Sequence, residues 1–195
     1  MKTAELTKGP ELLACDRDDD WLCEHLDYVW KRYFDDTPRA NNVDIGFAKR
    51  WKARLGLITL CESSDTTIIR LNGLLSHPAV PECVNTITVA HELVHYSHGF
   101  GSPLPRRHPH PHHGNIVEKE LLARGLGRHY DRYLDWIDRE WDEFYHVNAR
   151  APRRFWLPRR SGARVAAAGH GEQREAAATV RQARTDAEAE SGRGS

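Results

Sequence analysis

Val89-Ala90-His91-Glu92-Leu93-Val94-His95-Tyr96 joins a metal-binding spacing to a helical pattern. Two histidines stand four residues apart, and a glutamate follows the first. On a helix, positions i and i+4 lie one above the other, about 6 Å apart. Two imidazoles so placed can grip one ion. Neutral imidazole suits Zn2+, and Glu92, on the same turn, can take a proton from a water on that ion. The flanks support the helix. Pro81 fits a first turn, no breaker interrupts 82–98, and Gly99 offers a cap at the end.

Upstream, 57–61 and 67–71 are β-branched and apolar runs, linked by Glu62-Ser63-Ser64-Asp65. They read as a hairpin closed at Asn72-Gly73. Val43, Ile45 and Phe47 alternate with polar residues and suggest a further strand. Before them, Trp21, Leu22, Leu26, Val29, Trp30, Tyr33 and Phe34 recur at three- and four-residue steps, the pattern of an amphipathic helix over 18–34. Asp18, Asp19 and Asp20 provide its cap and favourable first-turn charge.

Downstream, 99–113 carries four prolines (Pro103, Pro105, Pro109 and Pro111) and must be a loop. It is long for a plain connection, and such loops in compact domains tend to be functional or disordered. A long C-terminal helix is expected over 115–145, with a break near Gly125 and Gly127 allowed for. The order is that of an α+β domain: an N-terminal helix, a small antiparallel or mixed three-stranded sheet, the His91–His95 helix and the C-terminal helix.

A catalytic zinc site keeps one position open and takes a third protein ligand. His98 lies nearly two turns beyond His91, an awkward reach for the same ion. His108 and His110 sit among prolines, where solvated rings are expected. That leaves His112, His113 and Glu118 as the candidates from the residues alone, with Glu120 better read as an exposed helix carboxylate.

Three stretches carry a family resemblance: Leu71-Asn72-Gly73-Leu74-Leu75, then Thr88 to His95, then His113-Gly114 followed by Arg124-Gly125-Leu126-Gly127. Together they resemble the SprT-like metalloprotease domain, the family of the Spartan-type DNA–protein crosslink proteases. The resemblance covers about residues 18–147. It implies a zincin-like fold, zinc held by His91, His95 and His113, Glu92 as the catalytic base, and a protein or peptide substrate. In metallopeptidases of this general type an edge strand beside the metal helix pairs with extended substrate; 67–71 is the candidate, with a plain core or edge strand as the other reading. Val117 stands where the family often has an aromatic residue, and the C-terminal zinc ribbon of many members is missing.

Composition sets the rest. The 195 residues are 39% hydrophobic and 29% charged, with zero formal net charge. This suits one domain over 18–148 with a polar lead-in at 1–17 and a basic arm and tail at 149–195. Residues 161–195 hold almost no large apolar side chain, so they cannot offset the entropy of ordering. Arg150, Arg153, Arg154, Arg159, Arg160 and Arg164, interleaved with Phe155 and Trp156, could meet phosphates and stack on bases. A solvated linker is the plainer interpretation. Lys49-Arg50-Trp51-Lys52-Arg54 forms a second basic cluster that leads into a strand. The cysteines Cys15, Cys23, Cys61 and Cys83 form no C-x-x-C pair, which excludes a zinc ribbon. No apolar stretch suggests a leader or membrane span, so a cytoplasmic protein is expected. Two functions compete: a zinc metallopeptidase, and a non-catalytic zinc-containing module that binds nucleic acid or protein through the basic arm.

Overall fold

Asp18 opens the first helix, its carboxylate accepting the Trp21 N–H at 2.8 Å. A computed structural model describes residues 17–150 of the chain, apart from the side chain of His113. Helix α1 (Asp19–Tyr33) buries Leu22, His25, Leu26, Val29 and Trp30, the stripe its spacing requires.

Strands β1 (Asn42–Phe47), β2 (Gly56–Cys61) and β3 (Thr66–Leu71) form one mixed sheet in the order β1-β3-β2. β1 runs parallel to β3, with Ile45 opposite Ile69, and β2 runs antiparallel to it, with Ile58 opposite Ile69. The hairpin thus forms where it is expected. The substrate-pairing candidate does not hold, however. Strand 67–71 is the central strand, with both sides engaged, and β2 is the sheet edge nearer the His91–His95 helix. Two apolar runs in a hairpin look alike in sequence, and only the position of β1 decides which becomes the edge.

Thr67, Ile69 and Leu71 are buried on one face of β3, the period-2 signature of a half-covered sheet. Helix α2 (Glu82–Ser97) packs against β2, β3, α1, α3 and α4. Every residue of it except Glu82, Cys83 and His91 is buried. Its buried Ser and Thr hydroxyls are satisfied on their own helix: Thr86 donates to Glu82 O at 3.1 Å, Thr88 to Val84 O at 2.7 Å and Ser97 to Val94 O at 2.9 Å.

The expected long C-terminal helix is three helices: α3 (Ile116–Ala123), α4 (Gly127–Arg139) and α5 (Trp141–Asn148). The first break has a clear cause. Gly125 takes φ +81°, its N–H bonds Leu122 O, and the N–H of Leu126 bonds Leu121 O, both at 3.0 Å. This is a Schellman ending, with Leu121 and Leu126 both buried. Trp141 anchors α5 through a bond from its indole N–H to Lys52 O at 3.1 Å. Arg50 caps the end of α5 by donating to Asn148 O at 2.8 Å. One member of the second basic cluster therefore works as a helix cap. Arg150 is exposed at the end of the described chain, and Arg153, Arg154, Arg159, Arg160 and Arg164 lie outside the described residues, as does Cys15. No helix among the described residues is long and apolar enough to cross a membrane.

Candidate metal centre

His91 and His95 project from successive turns of α2, and their Nε2 atoms are 3.0 Å apart. Their ring centroids are 4.7 Å apart at 80°. The ring of His112, from the loop before α3, stands 4.7 Å from that of His95 and 5.5 Å from that of His91. One ligand atom from each of the three lies within 4.8 Å of the others, the only such cluster among the described residues.

The His91–His95 pair fits two positions of a tetrahedral ion. With metal–nitrogen bonds of 2.0–2.1 Å, ligand nitrogens come to lie about 3.3 Å apart, close to the observed His91–His95 separation. Burial also disfavours the charged form of the two helix rings. Burial, reinforced by His112, lowers the pKa of His91 to about 3. Burial, then His91, His112 and His98, lowers that of His95 well below the ordinary value. Neutral imidazole is the form that binds metal. The chemistry of the site allows zinc and, with three imidazoles, other first-row metals as well.

Among the described side chains the third member of the cluster is His112, and the resemblance implies His113. His112 joins the cluster, whereas His113 begins a single 3-10 turn (His113–Asn115) and its side chain is not among those described. The turn contains Gly114 at φ +66° and Asn115 at φ +57°. These left-handed residues turn the chain between the Pro-rich loop and α3. Adjacent histidines carry no periodic signal that separates them. Glu118 lies in the first turn of α3. His98 is buried and pairs edge-on with His108 at 4.8 Å. His110 is exposed. Neither His98, His108 nor His110 belongs to the cluster.

The end of α2 shapes the mouth of the site. Gly99 takes φ +76°, its N–H bonds Tyr96 O at 3.1 Å, and the N–H of Phe100 bonds His95 O at 2.9 Å. This second Schellman ending turns Phe100 back so that its ring lies 6.3 Å from that of His95. Buried hydrogen bonds hold the next residues. Ser102 donates to Tyr96 O at 2.6 Å, and Thr67 donates to Gly101 O at 2.8 Å. The Tyr96 hydroxyl donates to Asn41 Oδ1 at 2.9 Å. The residue after His95 thus ties the metal helix to the loop and to the segment before β1.

His91, Glu92, His95 and His112 line a cleft of about 470 Å³. Its other walls are β2 from Gly56 to Leu60, the loop residues Phe100 and Gly101, and Arg54 and Arg106. Glu92 is 2% exposed, so its carboxylate is held in the packed wall of the cleft. Gly56, Phe100 and Arg106 were not foreseen as site residues. Gly99 carries the only local signal, as a helix stop just past the motif.

Comparison with family models, with curated proteins and with solved structures finds no match to this chain.

Proposed function

We propose that this chain is a zinc-dependent metallopeptidase of the SprT-like, zincin-like kind, with His91, His95 and His112 holding the ion and Glu92 as general base. One observation carries the proposal: three imidazoles converge at the wall of an open cleft that also contains a glutamate from the same helical turn. Three ligands leave a coordination position open, the pattern of a catalytic rather than a structural zinc site.

When bound, zinc supplies a Lewis acid able to polarise a carbonyl and bring the pKa of a water toward about 7. Glu92 accepts the proton of the attacking water and passes it to the leaving amine. Its burial favours this by keeping the carboxylate in one place. His91 and His95 are fixed by the helix, and His112 by the loop that returns from the end of α2.

The substrate is an extended peptide or an unfolded protein segment. β2 supports this assignment, since an edge strand beside a cleft can accept a further strand through main-chain hydrogen bonds. Contact with DNA through Arg150, Arg153, Arg154, Arg159 and Arg160 remains part of the proposal, as does cytoplasmic location.

The test is cleavage of an unfolded protein by wild type and by Glu92→Gln. The peptidase proposal requires zinc in both and cleavage only in wild type. Zinc in both with cleavage in neither would favour the competing binding module.

A further inference from the structure

We infer that Gly56 is a positioning residue for Glu92: the first residue of β2 leaves an empty notch, and the catalytic carboxylate occupies it. The inference rests on the peptidase reading and adds the element that sets where the base stands.

Gly56 has no backbone need to be glycine, since it is not among the positive-φ glycines. The need is for space. A Cβ at Gly56 would overlap Oε1 of Glu92, and would lie 3.0 Å from Glu92 Cδ and 3.0 Å from Thr88 Cγ2. Neither wall of the notch can retreat. Thr88 spends its hydroxyl on Val84 O at 2.7 Å, which fixes its rotamer and leaves the methyl against the strand. On the other side, Gly56 is paired with Leu71 in the β-ladder. The chain just before it is clamped by Asn72, which is fully buried. The Asn72 side-chain amide donates to Trp51 O at 2.6 Å and Arg54 O at 2.7 Å, and its backbone N–H donates to Leu55 O at 2.7 Å. The strand start and the helix are thus held at a fixed separation, and an added Cβ would press on the carboxylate between them.

Gly56, Glu92 and the three histidines line the same cleft. Displacing the carboxylate would therefore alter its aim at a substrate-attacking water without touching a metal ligand. Misplacement by about 1 Å can cost on the order of 100-fold in rate.

Two experiments test this. In the first, kcat and KM of Gly56→Ala are measured on an unfolded-protein substrate, together with zinc content. The expected result is kcat down about 100-fold, KM little changed and zinc content intact. Adding Glu92→Asp, which shortens the side chain by one methylene, should restore part of the lost kcat, although the same change lowers kcat in wild type. In the second, thermal unfolding of the zinc-free proteins is compared in a double-mutant cycle. Gly56→Ala should lower Tm in wild type and lose more than half of that effect in a Glu92→Ala background, where the notch is vacant.

An unchanged kcat in Gly56→Ala, or an equal Tm loss in both backgrounds, overturns the inference. Failure of the peptidase reading looks different: Glu92→Gln would then cleave as well as wild type, and the positioning role would fall with it.

Discussion

Nε2 of His91 and Nε2 of His95 face each other at 3.0 Å across one turn of α2. Without an ion, that distance is a hydrogen bond between two neutral rings. With one, it is close to the spacing of two ligands on a tetrahedral metal. Metal ligation needs both rings uncharged, and burial lowers the pKa of each.

Glu92→Gln keeps the shape of the side chain and removes the proposed base. General base catalysis is worth about 100- to 10,000-fold, so kcat should fall by that order while zinc content stays the same. Steady-state cleavage of an unfolded protein, with metal analysis of the same samples, checks this.

The metal-free protein should lose stability in acid. An unfolded chain protonates these histidines near pH 6.5, whereas the folded chain holds His91 neutral down to about 3 and His95 neutral well below its ordinary value. Between those limits the unfolded state binds more protons. The contribution is therefore fully present above about pH 6.5 and lost as pH falls toward 3. Urea unfolding at pH 7.5 and 5.0 should show a lower midpoint at pH 5.0, and His91→Leu with His95→Leu should reduce that difference.

How much of this is legible in the sequence follows from what each signal encodes. The i,i+4 spacing of His91 and His95 is a helical distance and needs no tertiary information. The same holds for α1, where Asp18 and the apolar stripe mark both the start and the buried face. The split of the C-terminal helix depends on whether Gly125 takes positive φ, which the glycine permits but does not require. The edge role of β2 depends on a parallel pairing between β1 and β3, segments more than twenty residues apart. Between His112 and His113 the sequence offers no choice, because adjacent histidines before a turn carry no periodic signal. Gly56 is silent in sequence because its importance lies in the space it leaves.

Gly99→Ala should weaken both the fold and the metal site. A left-handed non-glycine residue costs about 1–3 kcal/mol, and the added Cβ would lie 2.5 Å from Leu104 O and 2.7 Å from Pro105 C. The displaced loop is the one that brings His112 to the cluster. Tm should fall, and competition with a chelator should show weaker zinc binding.

Arg124→Ala should destabilise the domain without changing metal content. Its guanidinium donates to Tyr33 O at 2.7 Å, to Asp36 Oδ1 at 2.6 Å and to Glu120 Oε1 at 2.9 Å, and stacks over Phe34 at 4.2 Å. Joining α1 to α3 in this way should contribute about 1–3 kcal/mol, read from urea midpoints, with zinc stoichiometry as the control.

The most direct measurement is the zinc content of wild type, His112→Ala and His113→Ala after purification and dialysis against zinc-free buffer. The account predicts one zinc per chain in wild type and in His113→Ala, and its loss in His112→Ala. A wild type that holds no zinc, or loss in His113→Ala with retention in His112→Ala, would contradict it.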